Sequence, residues 1–366
     1  MSRVRLFAAV LILAAGSVAA QESARQYIYR PVSVAFVPGF STNGPESRNV
    51  SSSFSLNIIG GQLGRLRGAE LGSVFNVESD DALGYQAAGA ANIVAHDFTG
   101  VQQAGAMNVV GGNVKILQQA GAVNLAGGSV VGVQMAGAFN IAGGDVTGAQ
   151  ISGAVNLTGG RATGLQMAGA VNVANEFSGA QIGVVNIAGE GRGLQLGMVN
   201  IADDVDVPMG LVSIVKNGQF HVNLWASEFS LVNVGIKTGS KSIYNVFMLG
   251  CQPGGDSTRL LAGLGIGGHI PLKRLFVDID LLSQGVYTGP EWFPEGGPDF
   301  LSSLRLTGGW LVTEKLAITA GPALNVWVSE REDGSAVPFY DVPLYQWHGS
   351  ENVRIWPGFT IGLQLL

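Results

Sequence analysis

The chain is predicted to be all-β, a β-solenoid of sixteen-residue repeats joined to an antiparallel β-barrel or barrel-like sheet. Three observations predict it. An Asn recurs every sixteen residues at Asn76, Asn92, Asn108, Asn124, Asn140, Asn156 and Asn172, then at fourteen-residue steps at Asn186 and Asn200. Helix signals are nearly missing, because 55 glycines interrupt a chain rich in Val, Asn and Thr. Beyond Pro208 the period gives way to longer segments in which apolar and polar residues alternate.

Residues 1–20 read as a signal peptide. Arg3 and Arg5 precede an apolar run at 6–15, and Val18, Ala19 and Ala20 lead to Gln21. The stretch is too short to span a bilayer, and no Cys follows it to carry a lipid. An exported bacterial protein of the outer membrane or cell surface is expected, with a periplasmic or secreted location as the alternative. Charged residues make up 13% of the chain, and the net charge of −6 becomes −8 without Arg3 and Arg5. That is a poor match to a nucleic-acid partner. A single cysteine, Cys251, excludes an internal disulfide framework and reads as a small apolar residue at a strand end.

Residues 21–61 hold two candidate strands, 31–38 and 52–60. They are expected to pair with the carboxyl-terminal sheet and bring a barrel to ten strands, an even number as bacterial barrels require.

Residues 62–207 form the repeat block, with a unit of approximately G-x-Q-x-A-G-A-x-N-x-A-G-G-x-x-x. Each unit offers two extended pieces too short to cross a bilayer as barrel strands. Stacked as coils, they pair their backbone groups with the coils above and below. Asn92, Asn108, Asn124, Asn140, Asn156 and Asn172, with Gln102, Gln118, Gln134, Gln150 and Gln166, are then expected to form structural amide ladders with a step of about 4.8 Å. Between Val101 and Ala174 the charged residues are Lys115, Asp145 and Arg161. So bare a rod is expected to pack a face against the rest of the chain, another copy or a membrane-associated surface.

Residues 208–366 carry the barrel pattern. Leu275, Val277, Ile279 and Leu281 alternate with Phe276, Asp278 and Asp280, and similar alternation surrounds Arg305 and the stretch 359–365. With 219–226, 230–238, 242–251, 258–269 and 315–328, eight strands result. The connections at 271–273 and 313–315 are tight, while 284–301 and 329–354 are long. Trp225, Trp310, Trp327 and Trp356 fall near strand ends, where an aromatic girdle is expected.

The runs FVPGFSTNG (36–44) and SFSLNIIGG (53–61), the G-x-Q-x-x-G-x-x-N repeats, NGQFHVNLWASE (217–228) and GIKTG (235–239) resemble the bacterial surface-repeat proteins. The resemblance implies an exported, envelope-associated protein and supplies no catalytic or binding residue.

Chemistry is sparse. The four histidines share no motif, and Gly263, Gly265 and Gly268 precede a turn rather than a helix that could hold a phosphate. Asp278 and Asp280 point to one side of a strand, and with Arg305 they read as an ion-paired barrel interior. No catalytic, cofactor-binding or metal-binding residue is assigned. The expected role is a non-enzymatic structural or surface-interaction protein. The alternatives are a small-solute porin lined by Asp278, Asp280 and Arg305, and a glycan-active solenoid enzyme. Trp292, Phe293, Tyr340, Tyr345 and Trp347, on the long loops, are expected to contact protein or carbohydrate or to cap the barrel mouth.

Overall fold

The computed structural model describes residues 26–254, 258–288, 298–329, 343–348 and 352–366. The signal-like segment, Trp292, Phe293 and Tyr340 lie outside them. The chain separates into two units, 1–202 and 203–366.

The first unit is a stack of parallel β-coils. Phe98–Ala104 pairs with Ala82–Ala88 on one side and Val114–Ala120 on the other, while Met107–Val110 pairs with Ala91–Val94 and Val123–Ala126. The same registers continue to Val185–Leu196. Within a coil the two strands meet at a tight Gly-Ala corner, so their inward side chains converge and their outward ones diverge. The apolar core is a pair of columns, one through Leu66, Ala82, Phe98, Val114, Val130 and Val146, the other through Val94, Val110, Ala126 and Ala142.

One position recurs as glycine in nearly every coil. Gly100 holds φ +139°, and a Cβ there would lie 1.8 Å from the Gly84 carbonyl oxygen of the preceding coil. Gly84, Gly132, Gly148 and Gly164 repeat the positive φ, but Ile116 occupies the same column with φ 91°. A β-branched residue there carries backbone strain.

The early strands belong to this stack and not to the barrel, which corrects the ten-strand expectation. Val32–Val37 pairs in parallel with Val50–Asn57, which pairs in parallel with Arg65–Gly72. Alternation alone does not say which ladder a strand joins. The backbone pairing does, for Ser52 stands beside Leu66 and Leu66 beside Ala82 in one parallel ladder. The coils therefore begin before residue 62, and the division after Ala202 falls slightly ahead of the expected 207.

The second unit contains a closed antiparallel barrel of eight strands, Gln219–Ser227, Val232–Gly239, Ile243–Gln252, Arg259–Leu272, Leu275–Thr288, Asp299–Thr313, Leu316–Ser329 and Asn352–Leu365. Closure comes from Gln219–Ser227 pairing with Asn352–Leu365. The first strand is short and meets the last only over 360–365, so 352–355 keeps a free edge. Tyr345–His348 fills that edge. Tyr345 and Trp347, expected on a loop, thus lie in an extra strand with both side chains exposed.

The aromatic girdle is corrected as well. Trp225, Trp327 and Trp356 are buried inside the barrel, and Trp310 faces outward. Their strand parity decides this. Trp225 lies two residues from the inward Asn223, whereas Trp310 pairs across the sheet with the outward Leu275.

Candidate functional site

The described residues concentrate their charge chemistry in the barrel interior. Asp278 and Asp280 do share one side of their strand, both 1% exposed. Strand register sets Asp280 directly opposite Arg305, whose Nη2 donates to Asp280 Oδ2 at 2.7 Å. Tyr244 donates its hydroxyl to the other oxygen of Asp280 at 2.5 Å. Lys237 donates to Asp278 at 2.6 Å and to the Tyr244 hydroxyl at 3.1 Å, and His269 Nδ1 lies 2.7 Å from Asp278. Arg305 also stacks 4.7 Å over the Trp225 ring. Two cations thus meet two carboxylates, and each carboxylate oxygen has its own partner, the arrangement that makes buried charge tolerable.

Toward the other end of the barrel the filling becomes apolar. Phe229, Leu261, Val286, Leu301, Trp327 and Trp356 form one cluster. Glu228 is embedded beside it, accepting from Trp356 Nε1 at 3.0 Å, the Phe359 backbone N–H at 2.9 Å and Asn325 Nδ2. Between these layers the voids are small. One lined by Glu228, Gln284, Ser303 and Asn325 and another lined by Lys237, Asp280, Arg305 and Gln364 measure about 20 Å³ each. Each has room for about one water.

The expected ladders form a second polar interior, in the first unit. Each Gln Nε2 donates to the Gln of the preceding coil, as Gln102 does to Gln86 at 2.8 Å and Gln118 to Gln102 at 2.9 Å. Each Asn Nδ2 donates the opposite way, to the following coil, as Asn108 does to Asn124 at 2.9 Å and Asn140 to Asn156 at 3.0 Å. Its second hydrogen closes the corner on a backbone carbonyl, such as Gln119 O for Asn108 at 2.8 Å. Ladder residues from Asn92 to Asn172 and from Gln102 to Gln150 are fully buried.

The Gln ladder ends on an acid. Glu70 occupies the Gln register position next to Gln86 and accepts from Gln86 Nε2 and from Asn57 Nδ2, both at 2.8 Å. Glu78 lies close by, 1% exposed, with its Oε2 unpartnered. Burial, followed by the neighbouring Glu70 carboxylate, pushes the Glu78 carboxyl well above the ordinary range. A proton on Glu78 relieves both costs.

Asp80, Asp81 and His96 form the acidic and imidazole group whose ligand atoms approach within 4.8 Å. Asp80 is already engaged by Tyr27 and Arg65, each at 2.7 Å.

Of the residues expected to matter, Asp278, Asp280 and Arg305 come together, and the ladders form with the expected partners. Lys237, Tyr244, His269 and Glu228 lack any sequence signal, since barrel closure alone brings them to the same interior. Glu70 was readable, because it stands sixteen residues before Gln86. No protein-family model matches the chain, and comparison with curated proteins and with solved structures finds no match.

Proposed function

We propose that this chain is an integral protein of the bacterial outer membrane, held there by its barrel and serving a non-enzymatic structural or surface-interaction role. The observation that carries the reading is the barrel's inverted polarity. Leu249, Leu264, Leu281, Leu304 and Ile361 project outward with 49–64% exposure, while Lys237, Asp278, Asp280 and Arg305 of the same sheet are buried. Water-soluble barrels reverse this arrangement, and lipid-embedded ones have it. Four consecutive strands, from Arg259 to Ser329, are 14 or 15 residues long. That exceeds the 9–11 residues needed to cross a bilayer.

The filled interior favours an anchor over a solute channel. Side chains occupy the lumen of an eight-stranded barrel readily, and voids of about 20 Å³ pass no sugar or amino acid. They also leave Asp278 and Asp280 no space for a glycan. The exposed Tyr345 and Trp347 supply an aromatic contact strip for protein or carbohydrate. Fractionation of the native host tests the reading. Recovery in the outer membrane, with a folded band that shifts on heating in detergent gels, is expected. A soluble periplasmic or secreted protein would overturn it, and ion conductance in planar bilayers would restore the porin.

A further inference from the structure

The outer surface of the coil stack is divided sharply. Between Ala82 and Ala202 every charged side chain, from Asp97 and Lys115 through Asp145 and Arg161 to Glu176, Glu190 and Arg192, falls in the segments that turn from the Asn strand into the next Gln strand. These are residues 95–99, 111–115, 143–147, 159–163, 174–178 and 188–192. The rest of the coil exterior carries none. On the Gln strand, the outward positions flanking Gln134 are Val133 and Met135, and those flanking Gln166 are Leu165 and Met167. On the Asn strand, Phe139 and Ile141 flank Asn140, and Val155 and Leu157 flank Asn156. All are half-buried or exposed, with Phe139 at 42% and Met135 at 38%.

The two flanks, apolar but for Tyr85, Gln103 and Gln119, which hydrogen-bond to one another, join at the Ala-Gly-Ala corner, so the rod has a charge-free wedge along one edge and a charged edge opposite. A strand of about four residues spans roughly 13 Å, and the coils rise to about 40 Å. Each flank therefore offers on the order of 500 Å², below the roughly 800 Å² per partner of a stable interface. A second copy laid on one flank would leave the other bare. A fluid apolar medium covers both at once.

We propose that this wedge is sunk edge-on into the acyl chains of one membrane leaflet, with the charged edge among headgroups and water. The inference rests on the barrel's membrane location and extends it to the coil stack. Hydrocarbon forbids unpaired polar groups, and the coils meet that demand. Their backbone groups bond to the coils on either side, and the amides behind the flanks are spent on one another. A depth of roughly 13 Å fits within one leaflet, half of a hydrocarbon core about 30 Å thick.

The test uses the full-length chain with Cys251→Ser, reconstituted in phosphatidylethanolamine and phosphatidylglycerol vesicles with brominated acyl chains. Single cysteines carrying an environment-sensitive fluorophore are placed by Met135→Cys and Phe139→Cys on the flanks and Ser129→Cys and Thr147→Cys on the charged edge. A barrel reference is Leu281→Cys. Blue-shifted emission quenched several-fold by the brominated chains at 135 and 139, with 129 and 147 open to aqueous iodide, is expected. Quenching at 281 with iodide-accessible flanks would overturn the wedge and keep the barrel. Flanks shielded from both quenchers would overturn it in favour of a protein partner. Loss of acyl quenching at 281 as well would remove both readings.

Discussion

Replacing Asn124 by alanine isolates what one rung of the amide ladder contributes. Asn124 is fully buried. It donates to the Met135 carbonyl at 2.7 Å and to Asn140 Oδ1 at 3.0 Å, and it accepts from Asn108 Nδ2 at 2.9 Å. Each such bond has a net worth of about 0.5–1.5 kcal/mol, and a buried acceptor stripped of its donor costs more. Asn108 keeps an outlet at Gln119 O, so the donor side is partly spared. The expected cost is on the order of 3 kcal/mol, confined to neighbouring coils because each coil contacts only the next. Hydrogen-exchange mass spectrometry reads this directly. Protection of amides in 107–142 should fall about a hundredfold, since about 1.4 kcal/mol is a factor of ten. Peptides from the barrel should not change. Val123→Ala, one residue away and outward, should alter protection less than about threefold. If Asn124→Ala leaves 107–142 fully protected, the ladder is not what holds the coils. If it weakens the whole chain evenly, the coil-by-coil account fails.

Ile116→Gly should stabilise the stack by about 1 kcal/mol, because it removes a β-branched residue from a column of positive φ; increased exchange in 98–129 would refute it. Glu78, with its carboxyl pushed upward by burial and by Glu70, binds its proton more tightly folded than unfolded. Its contribution is thus intact below about pH 4.3 and is lost as pH rises through the folded value. Glu78→Gln should raise stability at neutral pH and flatten that dependence, measured by exchange of 66–81 across pH. Glu70→Gln should lower stability, since Glu70 accepts from two N–H groups and an amide can offer only one oxygen, while also weakening the pH dependence by removing the charge beside Glu78. In the barrel, Arg305→Leu strands the buried Asp280 and should cost about 3–5 kcal/mol. Adding Asp280→Asn should recover part of it, read from the temperature at which the folded gel band disappears.

The solenoid was legible because its period is local. Gln118 and Gln134 stand sixteen residues apart in the chain and 2.8 Å apart in space, so counting along the sequence already identifies partners. Where the count breaks, so does the reading. Asn57 heads the Asn column but stands nineteen residues before Asn76, so the sixteen-residue count does not reach it. The barrel was legible strand by strand, and the Asp280–Arg305 pair followed from alternation on adjacent strands. Lys237 meets Asp278 across 41 residues, and Glu228 meets Trp356 across 128. No local pattern encodes such pairs, because they depend on the closure of the barrel. The tryptophans misled for a related reason. Nearness to a strand end is visible in sequence, but inward or outward direction needs the strand's parity.

Both units apply one rule to different backbones. Polar side chains turn inward beside an apolar core, where most of them find a partner, and further apolar ones turn outward. In water this would be unfavourable twice over, through exposed apolar area and through desolvated amides and charges. The interior cost is offset only by near-complete pairing, which explains why the ladders are so regular and why irregularity gathers at their ends. The Gln ladder donates toward the amino-terminal side, so its first member must be an acceptor, and Glu70 is one. At the opposite end Gln195 keeps an Oε1 without a donor, and fourteen residues further on the chain has Met209 in place of another Gln. The direction of the ladder thus dictates which chemistry is needed at each terminus. The outward apolar face has no such internal remedy, and a lipid phase removes its cost without requiring any single complementary partner.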